Sequence, residues 1–455
     1  MGQPTLSEKI AQFIFAVRYE ELPPEVIGKA KQCLMDALGV AVLGSKFAAS
    51  RIVGNAVNAF RSREEAVVIG TPFKASASLA ALANSVSAHV ADYDDTSVDF
   101  KGHPSCVIVP AVVAAAESVE ARGQEVLLSI VVGNEVGSKL GQAMGGKHYQ
   151  KGWHGTGTIG TIGAATAVAK LFKLEPGQII HALGLAASSA AGLRQNFGTM
   201  TKSWHAGHAA HMGVLSGVMA QNGFDASVQA LEGENGFIRT FDGEGAVESF
   251  KNLGNPYSIT GVAFKKYPSC AGVHPAVEAV LRLVGKEAIR PERIASIKCY
   301  GCPSGLAALG REYPKTELEA KFSMEYCVAA TLVRGRLGVA EFEDEALMDA
   351  EVRSVMTKVQ VISDAALEEV AKSNKALSPT RVNIVTKDGR EFSEMIIAAR
   401  GGPRDPLTWS ELEKKFRECV NGMIPDSRVQ RILELIHSIE RLQDNSELSA
   451  LFQIP

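Results

Sequence analysis

Apolar residues recur at helical spacing over about the first 260 residues, with few of the alternations that mark strands. In residues 22–45, LPPEVIGKAKQCLMDALGVAVLGS, paired prolines precede an amphipathic stretch that Gly44 ends. Later stretches such as GTIGTIGAATAVAKLF and HALGLAASSAAGL are rich in Gly and Ala, which lets helices approach one another closely. The pattern predicts a large all-helical domain built as a bundle.

The pattern changes after about residue 265. Residues 294–300 (IASIKCY), 358–362 (KVQVI) and 381–386 (RVNIVT) alternate as strands do, and Asp388-Gly389 predicts a hairpin turn. Helices intervene, one of them opened by the capping box Thr316–Glu319. This part of the chain therefore predicts an α+β unit.

A helical pattern returns after the chain break GGPRDPLT and continues to the end. The sequence therefore predicts a mainly α protein with an inserted second domain. The large all-helical domain takes residues 1–264 and 403–455, and the smaller α+β (lid) domain takes residues 265–402, near the C-terminal end.

Composition narrows the class of protein. The chain has 455 residues, which favours two domains, and 46% apolar and 21% charged residues suit a soluble globular protein. The formal net charge of -3 gives no reason to expect nucleic acid or an anionic membrane as a partner. Seven cysteines scattered over the chain, and an N-terminus without a signal-peptide pattern, favour a reducing, cytoplasmic location.

Residues 197–213, FGTMTKSWHAGHAAHMG, crowd reactive side chains among small ones. Lys202 follows a turn in which Thr199, Thr201 and the nearby Arg194 could hold an anion, so it is a candidate fixed cation for a substrate carboxylate. An ordinary surface lysine is the alternative. The stretch predicts a carboxylate pocket.

Three histidines follow that lysine at steps of three residues. On a helix such steps drift by about 60° each, so the first and last diverge and do not readily share one metal ion. At least two of the three are expected to pack or to form hydrogen bonds. They are His205, His208 and His211.

An acidic stretch, AHVADYDDTSVDFKGHPS, covers residues 88–105. Its carboxylates repel one another unless a metal, a cation or shared protons compensate them. One interpretation is a magnesium-binding aspartate cluster that holds diphosphate, although no second Asp/Asn-rich motif follows. The second is a proton-handling cluster in which carboxylates orient a histidine or a substrate hydroxyl, and the third is a solvated acidic loop.

Two further stretches carry chemistry. His154 in GWHGTGTIGTIGAA precedes a helix start, where backbone amides favour an anion, but the spacing fits neither a P-loop nor a dinucleotide fingerprint. In FKKYPSCAGVHPAVEAV, Cys270 and His274 stand four residues apart. They are either a thiol activated by an imidazole or a small buried residue and a capping histidine.

Taken together, these stretches resemble the MmgE/PrpD family, whose members include 2-methylcitrate dehydratase, cis-aconitate decarboxylase and iminodisuccinate epimerase. The resemblance runs nearly end to end. The matching motifs are LPPEVIGKAKQCLMDALGVAVLGS, AHVADYDDTSVDFKGHPSCVIVPA, GWHGTGTIGTIGAA, GLRQNFGTMTKSWHAGHAA, KKYPSCAGVHPAV, AKFSMEYCVAA and GGPRDPLT.

The resemblance implies a helical domain with an α+β lid, a homodimer, an active site in the cleft between the domains, and no metal or organic cofactor. By matching motif, the family's active-site positions fall on Asp92, Thr96, His103, His154, Lys202, Lys265 and Tyr326. Arg194 is added from residue chemistry alone.

The shared chemical problem of this family is a carbanion next to a carboxylate. Lys202, Arg194 and Lys265 are expected to compensate the charge of the substrate. His103, oriented by Asp92, is expected to transfer the proton, with His154 or Tyr326 assisting a leaving hydroxyl or acting on the opposite face.

Four functions stay open at this point. A cofactor-free lyase acting on a di- or tricarboxylic acid, by dehydration or decarboxylation, leads. An epimerase of a dicarboxylic acid is second, because YPSCAGVH is more like the epimerase-type branches; Cys270 or Tyr326 would then serve the opposite face, with His274 lining the substrate site. A metal-dependent diphosphate enzyme and a non-catalytic carboxylate-binding protein are the remaining alternatives.

Overall fold

The computed structural model describes residues 4–243, 247–287, 289–310, 313–374 and 378–454. The chain forms two compact units. Unit 1 comprises Met1–Asn196, Met200–Phe264 and Thr408–Pro455, and unit 2 comprises Phe197–Thr199 and Lys265–Leu407. Unit 2 ends at Leu407, a few residues after the boundary at 402/403 that the sequence predicts.

Unit 1 is built from helices, and the long stretch 22–45 forms one from Pro24 to Ser45, as the proline signal predicts. A short antiparallel pair of strands, which the helical pattern did not predict, lies between the third and fourth helices. In chain order the elements are α1 (Leu6–Ala16), α2 (Pro24–Ser45), α3 (Ala48–Ala59), β1 (Ala66–Val67), β2 (Lys74–Ala75), α4 (Ala77–Val90), α5 (Ser105–Ser118), α6 (Gly123–Met144), α7 (Lys147–Gln150), α8 (Gly155–Leu171), α9 (Pro176–Ser189), α10 (Thr201–Gln221) and α11 (Phe237–Thr240).

Helices α5 and α8 lie at the centre of unit 1 and are buried on almost every side. A helix that is apolar all round belongs in a core. Small residues let these helices pack closely: a Cβ added at Gly213 of α10 would lie 2.3 Å from the Cβ of Ala164 in α8. The Gly/Ala-rich stretch that forms α8 therefore lies at the centre of the bundle, as the sequence predicts.

Unit 2 combines helices with a four-stranded sheet of order β4-β3-β5-β6. The β3/β4 pair is parallel, the other two pairs are antiparallel, and Gly389 turns the β5–β6 hairpin with φ +80°. The elements are α12 (His274–Glu287), β3 (Ile294–Gly301), α13 (Pro303–Leu306), α14 (Glu317–Ala320), α15 (Met324–Arg334), α16 (Asp344–Leu347), α17 (Ala350–Met356), β4 (Val359–Ser363), α18 (Ala366–Asn374), β5 (Thr380–Thr386) and β6 (Glu391–Ile396).

The C-terminal segment returns to unit 1 as α19 (Trp409–Val420), α20 (Asp426–His437) and α21 (Ser446–Ser449). Thr408 and Glu411 form the capping box that begins α19. Helix α19 packs on α2 so closely that a Cβ at Gly39 would lie 2.7 Å from the Phe416 ring. The mainly α fold with a smaller α+β unit is thus confirmed.

Within the described ranges, no single helix has the length and apolar character needed to cross a bilayer. The pair α2 and α3, bent by 89° at its junction, meets the length and composition requirement only when both helices are taken together.

Candidate active site

The site is centred on the loop between α4 and α5, which carries three buried aspartates within four positions, one before Tyr93 and two after it. Asp92 adopts the left-handed backbone conformation, with φ +51°, directly after the helix end. Its Oδ1 lies 2.5 Å from Nζ of Lys202, in the first turn of α10. Such a conformation is uncommon for a residue other than glycine, and aspartate tolerates it better than most.

Asp94, two residues later, faces two histidines instead of the lysine. Its Oδ2 accepts a hydrogen bond from Nδ1 of His89 at 2.8 Å, and Nδ1 of His103 lies 3.2 Å from the same oxygen. The two imidazole rings meet edge to face, with centroids 4.8 Å apart. The prediction that Asp92 orients His103 is therefore wrong: the loop turns between the two carboxylates, and Asp94 takes that position.

Asp95 anchors the beginning of α5. Its Oδ1 accepts a hydrogen bond from the backbone N–H of Ser105 at 3.1 Å, and the Ser105 hydroxyl donates to its Oδ2. A carboxylate at a helix N-terminus is favourable. Burial nevertheless raises the pKa of Asp95 to about 7, and nearby Asp36 and Asp94 add to the rise.

His154 directly precedes α8 and lies beside His205 of α10. Their Nδ1 atoms are 3.1 Å apart, so one ring nitrogen donates and the other accepts. His154 also stacks on His89, with ring centroids 5.8 Å apart. The four histidines around the loop form one continuous group, of which the side chain of His103 is 15% exposed.

Burial decides the charge of these groups. Burial lowers the pKa of His89 to about 4, although the negative charge of Asp94 acts to raise it. Burial and the positive charge of Lys202 together lower the pKa of His205 to about 4. Burial, His89 and Lys202 hold the pKa of His154 well below its ordinary value. Burial alone would raise the pKa of Asp94, but His89 and His103 keep it well below its ordinary value. Near neutral pH, His89, His154 and His205 are thus neutral, and the Asp94 carboxylate is charged.

Glycines let the histidine-bearing segments meet. A Cβ at Gly155, the first residue of α8, would lie 2.3 Å from the carbonyl oxygen of Lys101. The neighbouring Thr156 hydroxyl accepts the backbone N–H of His103 at 3.1 Å, which joins the two segments. The glycine-rich start of α8 is therefore a packing surface that brings His103 and His154 to one place.

The donor atoms can be tested for a metal. Nitrogen, oxygen and sulfur of His89, Asp94 and Cys106 lie within 4.8 Å of one another. A thiolate is the metal-binding form, yet burial raises the pKa of Cys106 well above its ordinary value, and its Sγ donates to the carbonyl oxygen of His103 at 3.4 Å. This donor set fits a metal poorly.

The aspartates themselves do not converge as a magnesium site would require. Asp92 faces Lys202, Asp94 faces two histidines, and Asp95 faces Ser105. A hard cation needs several oxygens around one point. This distribution favours the proton-handling interpretation over the diphosphate-binding one.

The predicted carboxylate pocket is only partly assembled within unit 1. Lys202 is buried there, and Thr201 is exposed at the start of α10. Thr199 is exposed and belongs to unit 2. The Arg194 guanidinium stacks 3.6 Å from the centre of the Tyr149 ring, and its Nη1 donates to the carbonyl oxygen of the same residue, which favours a structural role.

The later histidines of α10 and Thr96 have backbone partners. His208 Nε2 lies 3.0 Å from the carbonyl oxygen of Ser189, and His211 Nδ1 lies 3.1 Å from that of Ser78. The expectation that at least two of the three histidines form hydrogen bonds is thus confirmed. Thr96 exchanges both backbone hydrogen bonds with Ala263, at 2.8 Å each.

The remaining predicted positions lie in unit 2. Lys265 is buried, His274 begins α12 with Nε2 3.3 Å from the carbonyl oxygen of Ser269, and Cys270 is half-buried. The Tyr326 side chain is fully buried in the core of the unit, and its hydroxyl donates to the carbonyl oxygen of Glu341. That position favours a structural role for Tyr326.

Sequence reasoning left several members of the site out of the candidate set. His89, Asp94 and Asp95 stood in the acidic stretch, but nothing in their spacing says which carboxylate faces which ring. For His205 the spacing predicts no more than packing or a hydrogen bond, because helical spacing alone hides a partner from another helix. Lys415 was hidden for another reason: it lies in α19, 322 positions after Tyr93, whose carbonyl oxygen it contacts.

The sequence model of the MmgE/PrpD N-terminal domain matches residues 8–249, and that of the MmgE/PrpD C-terminal domain matches residues 267–441. Among curated proteins, the chain is 27% identical to cis-aconitate decarboxylase of Aspergillus terreus over 475 residues, covering 99% of this chain and 96% of that protein.

Two further relatives cover similar lengths. Cis-aconitate decarboxylase of Homo sapiens is 27% identical over 463 residues, which is 99% of this chain and 95% of that protein. The 2-methylcitrate dehydratase of Salmonella typhimurium is 23% identical over 472 residues, which is 97% of this chain and 96% of that protein.

Proposed function

Since the chain belongs to the MmgE/PrpD family, we propose that it is a lyase that acts on a small di- or tricarboxylic acid by proton transfer at a carbon next to a carboxylate. The proposal needs no metal or organic cofactor, as the resemblance implies. The observation that carries it is the buried group in which Asp94 faces His89 and His103 while Asp92 faces Lys202.

The arrangement suits proton transfer to or from carbon. Asp94 lies at Nδ1 of His103, so it favours the tautomer with its proton on Nδ1 and leaves Nε2 as the reactive nitrogen. The His103 side chain is partly exposed whereas that of His89 is fully buried, so His103 is the one proposed to meet substrate. General acid–base catalysis by a positioned histidine contributes about 10²–10⁴-fold.

Lys202 supplies the positive charge for the substrate. Its ammonium lies against Asp92 in the buried part of the site, and we propose that it also binds a substrate carboxylate. In a buried site such a charge stabilises electron density that develops next to that carboxylate. His154, with His205 behind it, is proposed to serve a leaving hydroxyl or a second proton transfer.

Both lyase reactions can be written with these groups. In decarboxylation, the carbon–carbon bond to the leaving carbon dioxide breaks, its electron pair moves to the adjacent carbon, and protonated His103 gives that carbon a proton. In dehydration, neutral His103 takes a proton from carbon, the carbon–oxygen bond breaks, and the hydroxyl leaves as water with a proton that solvent supplies and His154 relays. Solvent then resets His103: it returns a proton to His103 after decarboxylation and takes one from it after dehydration, so atoms and charge balance in both sequences.

The substrate class follows from the relatives. They are named cis-aconitate decarboxylase and 2-methylcitrate dehydratase, and we propose an unsaturated tricarboxylate such as cis-aconitate as the first substrate to test. Epimerisation of a dicarboxylic acid is the second candidate, since the YPSCAGVH pattern favours it. A homodimer and a cytoplasmic location stay predictions from the resemblance and the composition.

The test is turnover in heavy water followed by NMR and mass spectrometry, with cis-aconitate, 2-methylcitrate and iminodisuccinate. Decarboxylation is expected to release carbon dioxide and leave one deuterium at carbon. Dehydration would give the unsaturated acid, and epimerisation would put deuterium into an acid of unchanged skeleton. Binding without any turnover would overturn the proposal in favour of a carboxylate-binding protein.

Variants assign the chemistry to residues. His103→Gln and Lys202→Met are each expected to lower kcat/KM by about 100-fold or more. His208→Gln and Lys139→Met are the matched controls. His208 binds the Ser189 carbonyl, away from the proposed reacting groups. Lys139 is about as buried as Lys202 and lies 3.6 Å from Glu135. Near-normal rates in the folded site variants would contradict the assignment.

A further inference from the structure

A buried ion pair lies close to the site loop and plays no part in the mechanism above. Nζ of Lys415, in α19, is 2.6 Å from Oδ1 of Asp36 in α2, and the two side chains are 5% and 1% exposed. Lysine and aspartate are almost never buried so completely without a specific partner. The question is what this pair holds.

The ammonium of Lys415 has a second and a third contact, both with Tyr93. It donates to the carbonyl oxygen of Tyr93 at 2.8 Å and lies 4.0 Å from the centre of the Tyr93 ring. Tyr93 stands between Asp92 and Asp94, the two carboxylates that face Lys202 and the histidines. The Lys415 side chain thus fixes the position of Tyr93, and Asp92 and Asp94 are its two neighbours in the chain.

The loop has fixed points on either side of that contact. The N–H of Asp92 donates to the carbonyl oxygen of His89 at 3.1 Å, and Thr96 exchanges two hydrogen bonds with Ala263. Asp92 has the left-handed conformation, which a loop keeps only when its surroundings determine it. Lys415 supplies the middle fixed point.

We propose that Lys415 is a positioning residue of the active site: through the Tyr93 carbonyl it holds Asp92 towards Lys202 and Asp94 towards His89 and His103. Asp36 compensates the buried charge of the ammonium. The inference rests on the proposed function for its kinetic test, but the loop geometry can be measured without any substrate.

A purely structural ion pair makes a different prediction. Replacing a buried pair by apolar residues of similar volume is often neutral for stability, whereas removing one partner leaves a buried charge behind. The variants must therefore separate the charge pair from the hydrogen bond to Tyr93. Asp36→Asn removes the carboxylate but keeps Lys415 and its hydrogen bond to the Tyr93 carbonyl. Asp36→Leu/Lys415→Met removes both charges and that hydrogen bond together.

The kinetic experiment compares these two variants with the parent. Asp36→Leu/Lys415→Met is expected to keep a thermal midpoint near that of the parent but to lose at least about 10-fold in kcat, with a smaller change in KM, because misplaced reacting groups slow the chemical step. Asp36→Asn is expected to lose thermal stability but keep kcat within about 3-fold, because the Tyr93 carbonyl keeps its donor. Lys414→Met, at the exposed neighbouring lysine, is the control.

A second measurement needs no turnover. The chain has ten histidines, and selective ¹⁵N labelling would report the tautomer of each in the unliganded protein. The His89 and His103 signals are expected to move in Asp36→Leu/Lys415→Met and to stay in Lys414→Met. These signals test the inference even if the parent turns over none of the candidate acids, so the two failures are distinguishable.

Two results would overturn the inference. One is a folded double variant with parental kcat and unchanged His89 and His103 signals. The other is loss of folding in both Asp36→Leu/Lys415→Met and Asp36→Asn/Lys415→Met, which would make the pair a stability element only. If only Asp36→Leu/Lys415→Met fails to fold, Asp36→Asn/Lys415→Met is compared with Asp36→Asn instead. The variant without Lys415 is then expected to lose at least about 10-fold in kcat and to show the shifted His89 and His103 signals.

Discussion

Three acidic residues within four positions have three different environments. Asp92 faces a lysine, Asp94 faces two histidines, and Asp95 binds the amide and hydroxyl of Ser105. Opposite charge favours the ionised carboxylate and burial disfavours it. Asp94 and Asp95 therefore titrate in opposite directions from their ordinary pKa, although they are neighbours in the chain.

The raised pKa of Asp95 predicts that the stability of the protein depends on pH. In the unfolded chain the carboxyl has a pKa of about 4, and in the folded protein about 7. Between these values the folded state binds more protons, so stability falls as pH rises from about 4 to about 7. Asp95→Asn cannot ionise and can keep both contacts with Ser105. We expect the variant to be more stable than the parent at pH 8 by up to about 4 kcal/mol.

The measurement is the free energy of unfolding in urea from pH 4 to pH 8. The advantage of Asp95→Asn should vanish near pH 4, where both states of the parent are protonated. Asp94→Asn is the contrasting variant, because a lowered folded pKa stabilises the protein above about pH 4 and the variant loses that contribution. A stability difference for Asp95→Asn that does not change with pH would contradict the titration.

At the scale of elements, the glycine-rich start of α8 decides how closely the site segments approach. The position of GTGTIG at a helix start indicates an anion site, but its glycines meet neighbouring backbone in the structure. A Cβ at Gly157 would lie 2.3 Å from the carbonyl oxygen of Ala191, next to Gly192, whose carbonyl accepts the N–H of His154. The helix is therefore built for close approach.

Gly157→Ala tests that approach. The added methyl must displace a backbone carbonyl, so we expect a loss of about 1–3 kcal/mol in stability, together with reduced activity as the His154 segment moves. Urea unfolding and kcat/KM would be measured on the same preparation.

Gly28→Ala is the control for that change. A Cβ at Gly28, inside α2, meets no described atom within 4 Å. Alanine is the better helix former there by up to about 1 kcal/mol, so this variant should be as stable as the parent or more so. Equal effects of the two substitutions would argue against the packing explanation.

At the scale of the whole molecule, the C-terminal segment completes unit 1 from the far end of the chain. Helix α19 contributes Lys415 and Phe416 to α2, and Phe416 is buried against Gly39. Helix α20 buries Val429, Ile432, Leu433, Leu435 and Ile436. The core of unit 1 is therefore not continuous in sequence.

A chain that stops at Leu407 tests this dependence. It would expose the apolar face of α2 and leave Asp36 without its ammonium partner at Lys415, so we expect insoluble or non-cooperatively unfolding protein. Expression of residues 408–455 as a separate chain should restore solubility. A soluble truncated protein with a sharp thermal transition would contradict the prediction.

The sequence by itself determined the long helices, the strands of unit 2 and the inserted order of the two patterns, because periodicity is a local property of the chain. It also supplied the family and the acidic stretch that forms the site loop. Tertiary structure alone decided that Asp94 instead of Asp92 faces His103, and that Lys415 reaches Tyr93 across 322 positions of sequence. The physical reason is that hydrogen bonds and ion pairs act over a few ångströms, and only packing brings distant segments within that range.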